Sequence, residues 1–257
     1  VMDIDFDFDV VVIGSGFGGS IMTCRLAEKD YRVCLLERGQ RWGMHEFPRR
    51  INEIKKDMFW DPEDKKYGTM EFCDSPESDA MTLTASGLGG GSLIYANVLL
   101  RMPEAYFKGW PYGINSEMLE PFYKNVIATM EASPYPFKEN SYYADTPKSH
   151  IYEQISKNIE KSLDSIAQPK FIRPDLAICF KGDFPGEQSK NIHGAIQSNC
   201  IKCGECDIGC NIHAKNTLDL NYIYRAQHNV KTKAEVRTNS EVTEITEIVG
   251  GGYLITH

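Results

Sequence analysis

The stretch DVVVIGSGFGGSIMTCRLAEKDYRVCLLERG, residues 9–39, decides the fold. Val10 to Ile13 form a continuous apolar run, the pattern of a parallel strand buried on both faces. The run feeds into Gly14, Gly16 and Gly19, a G-x-G-x-x-G. A helical pattern follows, with Ile21, Cys24, Leu26 and Ala27 turned inward, and then a second apolar strand, Arg32 to Leu36, that ends at Glu37. Each part has a physical reason. Gly14 permits the tight turn from strand to helix, Gly16 lets a pyrophosphate approach the backbone, and Gly19 allows the helix to pack closely on the strand. The helix N-terminus adds unpaired N–H groups and the positive end of a dipole. Glu37 stands eighteen residues beyond Gly19, where an acid accepts hydrogen bonds from the ribose of an adenosine. Strand, turn, helix, strand and acid in this order predict a dinucleotide-binding α/β unit. The fingerprint alone does not choose between NAD and FAD, because both use this fold.

The bulk properties bound the remaining options. The chain has 257 residues, enough for one large or two ordinary domains, with 42% hydrophobic and 25% charged residues, as in soluble globular proteins. A formal charge of −8 argues against a general nucleic-acid binder. No apolar run of about 18 residues occurs, so no transmembrane segment is expected. The acidic start VMDIDFDFDVVVIG lacks the basic and apolar parts of a secretory signal. Eight cysteines in a chain of this size do not form a disulfide-rich scaffold, which favours a reducing compartment and a cytoplasmic location.

A second glycine-rich loop, TASGLGGGSLIYANVLLRMPEAYFKGWP, spans residues 84–111. Gly87, Gly89, Gly90, Gly91 and Ser92 bare the backbone amides, which suits close approach to a second part of a large ligand. A simple nicotinamide-binding domain has no need of such a loop. The apolar SLIYANVLL that follows anchors it in packed structure.

GSGFGG, LLERG, GLGGGSLIYAN and NIHAKNTLDLNYIYRA, in this order, resemble the N-terminal half of the glucose–methanol–choline oxidoreductases, in the cholesterol-oxidase-like branch. The resemblance runs down to VTEITEIVGGGYLITH. It implies an FAD-binding Rossmann-like fold, a doubly wound parallel sheet with a β-meander, together with part of an α+β substrate domain. It also implies FAD in an extended form. Gly14, Gly16, Phe17, Gly18 and Gly19 would cradle the pyrophosphate, and Glu37 would hold the ribose. Gly89, Gly90, Gly91, Ser92 and Asn97 would lie along the ribityl chain and near the isoalloxazine, and Val242, in a strand SEVTEI, would meet the adenine through its backbone. Where known cholesterol oxidases carry Asn-Gly-Gly, this chain carries Tyr95, Ala96 and Asn97.

The rest of the chain divides around these motifs. Residues 1–115 read as the FAD-binding segment, with residues 44–80 an irregular, polar cover loop that includes DPEDKKYG and CDSPESD, and residues 84–98 the second glycine loop. Residues 116–228 read as a helical, substrate-side insertion, and residues 229–257 as return strands of the FAD domain. SEMLEPFYKNVIATMEA, 116–132, predicts a helix that Pro121 starts or kinks. In SHIYEQISKNIEKSLDSI, Ile151, Ile155, Ile159 and Leu163 recur every four positions, an amphipathic helix with a structural role. NTLDLNYIYRAQ, 216–227, predicts a further helix capped by Asn216 or Thr217, and the glycines at 250–252 a hairpin turn.

CIKCGECDIGC, residues 200–210, places Cys200, Cys203, Cys206 and Cys210 at C-x2-C-x2-C-x3-C, the spacing of ferredoxin loops. Gly204 and Gly209 permit the curled backbone such a loop needs. The ferredoxin pattern continues with Pro, whereas Asn211 follows here, and no second run supplies a partner cluster. A complete cluster would need Cys210 in a different role, or a remote ligand such as Cys179 or Cys73. Two readings stand level: iron–sulfur ligands, or a thiol-rich turn that holds no metal. Zinc fits less well, since four-cysteine zinc sites draw on two separated pairs, and a disulfide is unneeded in a reducing compartment.

By resemblance, the activity is oxidation of a CH–OH group of an alcohol or sterol-like substrate, with hydride passing to the flavin N5 and a histidine taking the hydroxyl proton. None of His45, His150, His193, His213, His228 and His257 lies in the family's base motif, so no catalytic residue is assigned. The base is expected beyond residue 257, and the chain is expected to be the N-terminal part of a longer enzyme. Two other functions remain open: a flavin and iron–sulfur dehydrogenase passing electrons to a quinone or protein acceptor, and a non-enzymatic cysteine-rich redox or metal-binding module.

Overall fold

A computed structural model describes residues 5–75, 77, 79–137, 141–144, 146–162 and 171–257. β1 (Val10–Ile13) turns through Gly14 into α1 (Phe17–Ala27), and the chain returns along β2 (Val33–Leu36). The two strands run parallel, with Val10 opposite Val33 and Ile13 opposite Leu36. The third strand comes from far along the chain. Glu235–Arg237 pairs in parallel with Cys34 to Leu36 on the other side of β2. β2 is therefore central, and all of its residues are buried. β1 stands at the edge of this sheet among the described residues, and Ile13 is 49% exposed. The expected burial on both faces thus holds for β2 and fails for β1. A continuous apolar run reports what a strand is able to bury, not which of its faces is covered.

The core forms where α1 meets the helix Tyr222–His228. Small side chains at Cys24, Ala27 and Ala226 let the two helices approach, and Ile223, Tyr222, Val33 and Leu35 fill the space around them. Leu88 and Leu218 belong to the same cluster, so the second glycine loop is anchored in the core of the N-terminal unit. At the rim Arg225 pairs with Glu28 at 2.7 Å. The same core cluster holds Met130 and Ala177, so residues assigned to the 116–228 insertion share a core with the first unit. Residues 222–228 pack into the first unit, because their small and apolar face matches that of α1. Their cap is Asn221, which accepts from Tyr222 N at 2.6 Å, because a 3-10 turn at Leu218–Leu220 separates Thr217 from the helix.

Residues 44–80 are more ordered than their composition suggests. They contain a helix, Ile51–Asp57, a short hairpin of Trp60–Asp61 with Lys66–Tyr67, and the first strand of a ribbon that pairs Met70–Asp74 with Met81–Ala85. These elements are too short and too exposed to show a periodicity. Pro76 and Ser78 of the expected loop lie outside the described residues.

Ser116–Thr129 is helical as expected and opens at Asn115, whose side chain accepts from Met118 N at 2.8 Å; Pro121 lies inside the helix rather than at its start. Pro147–Ser162 is also helical, yet Ile151 and Ile155 remain exposed, so that stripe is not a core face here; Leu163 lies outside the described residues. Glu244–Glu247 and Tyr253–Thr256 form the expected hairpin, turning through glycines with positive φ at 250–252. Val242 precedes this hairpin instead of lying within a strand. Among the described residues no helix is long and apolar enough to cross a membrane.

Ala226→Leu forces extra volume between α1 and the helix Tyr222–His228 and is expected to cost about 1–3 kcal/mol in urea unfolding of the full-length protein. Ile151→Ser, on the exposed stripe, should change the unfolding free energy in the same assay by no more than about 0.5 kcal/mol.

Candidate functional site

The two glycine loops meet backbone to backbone. A Cβ on Gly19 would sit 1.9 Å from the Gly14 carbonyl oxygen, so α1 comes down onto the turn as closely as the sequence predicts. A Cβ on Gly90 would sit 2.6 Å from the Gly16 Cα, and one on Gly39 2.3 Å from the Gly87 nitrogen. By contrast nothing lies within 4 Å of a Cβ placed on Gly16. The second loop thus seals one side of the first and leaves the approach to Gly16 open. Intrahelical bonding begins with Ser20 N donating to the Gly16 oxygen at 2.9 Å, which leaves the amides of Phe17, Gly18 and Gly19 as free donors by helix geometry.

Glu37 holds this junction. Its carboxylate is buried at the end of β2. Oε2 accepts from the Ser15 amide at 2.9 Å and from the Ser15 hydroxyl, while Oε1 accepts from the amides of Gly39 at 3.0 Å and Gly87 at 3.2 Å. Ser15 Oγ in turn accepts from the Gly89 amide at 2.9 Å. A carboxylate offers about four acceptor positions, and all are taken within the chain. Bonds to a charged acceptor contribute about 1.5–3 kcal/mol each, which offsets the burial of the charge. Ser15 and Gly39 were not singled out from sequence. Their signal was the small residue beside each essential one, in GSG and ERG.

A cavity of about 720 Å³ opens at this junction. That is the size of a small-molecule site, about 300–1,000 Å³. Gly14, Gly16 and Glu37 line it from the first motif, Gly90, Gly91, Ile94 and Tyr95 from the second loop, and Ser240 to Val242 from the far end of the chain. The third group arrives because Ser240 N donates to the Glu37 oxygen and Asn239 N to the Gly39 oxygen, continuing the line of the third strand. Leu83, Thr84 and Ala85 of the ribbon form a further wall, held by an Arg38–Glu71 ion pair and by Arg38 stacked 4.8 Å over Trp60.

Not every expected residue reaches the cavity. Gly89 faces the Asp219 carboxylate, whose Oδ1 would lie 3.5 Å from a Cβ there. Ser92 is buried behind the wall, donating to the Gly89 oxygen at 2.7 Å and accepting from Leu218 N at 3.0 Å. Asn97 is buried at positive φ, and its carbonyl serves Ala177 N. These three shape the loop and do not line the cavity. Phe17 packs edge-on against Tyr95 at 5.8 Å, while Gly18 has open space around its Cα.

Tyr95 stands where the family resemblance leads one to expect an asparagine. Its hydroxyl donates to the Asn216 carbonyl at 2.9 Å, and burial pushes its pKa up, so it presents a ring to the cavity and keeps its proton. Behind it lies Lys215, fully buried, whose ammonium burial pulls down to about 8. Asp219 is buried with Oδ1 unpartnered. Its pKa is raised by burial, against the opposing pull of Thr217, His213 and Arg41.

The cysteine run does not assemble as a metal cage. Among the described residues no three His, Cys, Asp or Glu side chains are grouped to hold an ion, and all eight cysteines are free. Cys200 is raised to about 11 by burial, and Cys206 is raised by the same cause. Instead the loop is braced by residues 45–49. Arg49 donates to the Gly209 oxygen at 2.7 Å and the Ile208 oxygen at 3.2 Å, and pairs with Glu205 at 2.8 Å. Asn211 accepts from Phe47 N at 2.9 Å and donates to the Phe47 oxygen at 3.0 Å, a double bond pattern that no Pro could make. The residue that departs from the ferredoxin pattern is thus used for loop docking. Cys200, Cys203, Cys206 and Cys210 lie near enough for neighbouring thiols to add to the rise at Cys200 and Cys206, yet among the described residues they form no grouping that would hold an ion.

A Rossmann-type sheet with two glycine loops over one cavity defines a dinucleotide-binding protein. Comparison with known proteins agrees: residues 12–61 match the family described as NAD(P)-binding Rossmann-like domain. The chain is 29% identical to a cholesterol oxidase of Acinetobacter baumannii over 98% of its own length and 44% of that protein. It is 31% identical to a cholesterol oxidase of Mycobacterium tuberculosis over 86% of its length and 37% of that protein. A long-chain-alcohol oxidase of Arabidopsis thaliana is 27% identical over 43% of the chain and 14% of that protein. The chain spans less than half the length of these curated relatives. These matches support a place in the cholesterol-oxidase-like branch of the glucose–methanol–choline oxidoreductases.

Glu37→Gln turns an acceptor toward backbone donors into an amide donor and should lower stability by on the order of 2–3 kcal/mol in urea unfolding. Asp219 has a folded pKa above its unfolded value, so its ionisation opposes folding at neutral pH and this penalty fades as pH falls through the raised value toward the ordinary one. Asp219→Asn should therefore be at least as stable as the parent at pH 8, and its advantage should shrink as unfolding is measured at successively lower pH.

Proposed function

We propose that this chain is the FAD-binding part of an FAD-dependent oxidoreductase that acts on a CH–OH group of an alcohol or sterol-like substrate. One observation carries the reading: Gly90 rests on the Gly16 backbone, so both glycine loops wall a single cavity, as an extended flavin dinucleotide requires and a simple nicotinamide site does not. The names of the matched relatives supply the substrate class.

Within this reading the residues divide by position. The bared backbone at Gly16 and the free amides of Phe17, Gly18 and Gly19 receive the pyrophosphate. Ser240 to Val242 border the adenine end. Glu37 would lie at the ribose, holding the Ser15, Gly39 and Gly87 amides in place around it. Gly90, Gly91 and the Tyr95 ring line the flavin side. When bound, the flavin supplies the acceptor for the hydride that leaves the CH–OH carbon. Tyr95 excludes water there and moves no proton, since its hydroxyl is committed to Asn216. No histidine lines the cavity, so no residue of this chain is assigned as the base. His193, which is buried, has its Nε2 2.8 Å from the Thr129 carbonyl, away from this site.

The chemistry implies a small-molecule alcohol or sterol-like substrate and an electron acceptor for the reduced flavin. The free thiols fit a cytoplasmic setting. Nothing in the geometry of the cysteine run favours the iron–sulfur alternative over this reading.

Titration of the full-length, flavin-depleted protein with FAD should quench flavin fluorescence and restore a flavin absorption spectrum. Gly90→Ala pushes the second loop off Gly16 and should weaken FAD at least about tenfold, a loss of ~1.4 kcal/mol. A protein that leaves added FAD fully fluorescent while binding NADH would sink the proposal.

A further inference from the structure

Lys215 is the only buried lysine among the described residues. Its ammonium donates to the carbonyl oxygens of Leu93 at 2.9 Å and Tyr95 at 3.1 Å, and to that of Cys206. An ammonium has three N–H donors, so all are used. The charge also lies 5.1 Å from the centre of the Tyr95 ring, and the Lys215 amide donates to Cys210 Sγ at 3.4 Å.

These partners belong to two different parts of the site. Leu93 ends the 3-10 turn Gly90–Leu93, and with Tyr95 it fixes where Gly90, Gly91, Ile94 and the Tyr95 ring face the cavity. Cys206 opens the 3-10 turn Cys206–Ile208 of the thiol run. A loop built of glycines has no side chains with which to anchor itself, so its carbonyls depend on donors from elsewhere. One desolvated cation provides them, and it is shared with the cysteine run. It is satisfied only while all three carbonyls converge, because a buried charge that loses a partner is strongly penalised.

We propose that Lys215 is a positioning residue that couples the cysteine run to the second glycine loop, so that a covalent change at Cys206 alters the cofactor cavity. Cys203 is exposed and Cys200 and Cys206 are partly so, which opens the run to electrophiles from solvent, with Cys206 reacting slowly because burial holds its thiol protonated. A group added at Cys206 displaces its carbonyl, the ammonium loses one of three acceptors, and the turn that carries Gly90 and Gly91 loosens. The cofactor arm of this inference rests on the FAD reading above; the loop arm does not.

The test uses the full-length protein with Cys73→Ser, Cys200→Ser and Cys203→Ser, treated with iodoacetamide, since Cys73 and Cys200 are as accessible as Cys206. The Cys206 sulfur then takes the carbamidomethyl group as iodide leaves and the thiol proton passes to buffer; the adduct is verified by peptide mapping. Two readouts follow: amide hydrogen exchange over residues 87–97, and FAD affinity. Expected results are at least about fivefold faster exchange at residues 90–95 and about tenfold weaker FAD binding. In a Lys215→Met background the same adduct should change FAD affinity less than twofold, because the link is already cut. Exchange left unchanged by the adduct overturns the coupling, and so does an equal loss of affinity with and without Lys215. If Lys215→Met fails to fold, exchange in the Lys215-containing adduct decides alone. If FAD does not bind even before treatment, the FAD reading fails while the exchange result still decides the coupling.

Discussion

The buried carboxylate of Glu37 is the interaction on which the site depends. It stands where β2 ends and takes donors from Ser15 in the first glycine loop, from Gly87 in the second, and from Gly39 beside it. Glycine loops bare their backbone to a ligand, and for that reason they lack side chains with which to pack. Their amides must be gathered by an acceptor from a rigid element, and the end of a central strand is the most rigid place available. Every acceptor position of the buried carboxylate is filled.

Lys215 is the opposite pole of the same design. Glu37 takes the Gly87 amide of the second loop, and Lys215 takes its Leu93 and Tyr95 carbonyl groups. The loop is suspended between an anion and a cation, with Leu88 as its apolar anchor in the core. Ser92 and the Leu218 amide complete the support from behind. A loop held in this way is both ordered and free of side chains toward the cavity, which is what close contact with a large planar cofactor demands.

The cysteine run takes on a different character in this setting. Arg49 and Asn211 fix it to residues 45–49, and Lys215 fixes it to the cofactor loop. Its thiols are an addition to a firmly docked turn. The same turn in a ferredoxin is organised by its cluster. Here backbone bonds and an ion pair brace it, with Asn211 standing where the ferredoxin pattern has Pro.

The sequence by itself determined the strand–turn–helix order of residues 9–39, the acid at Glu37, the need for glycine at Gly19 and the hairpin at 250–252, because each is a local pattern of periodicity or of backbone geometry. It also carried the family resemblance, since several such patterns fall in register. Only the tertiary structure decided what the acid and the loops do with their bonds. Glu37 meets Gly87 across 50 positions and Lys215 meets Leu93 across 122, and no periodicity encodes a polar pair at such separations. For the same reason Ser92 and Asn97 carry the right names but face away from the cavity, and the helix Tyr222–His228 joins a core its position in the chain did not suggest. Local chemistry states what a residue is able to do; the long-range packing of the backbone selects the partner with which it does it.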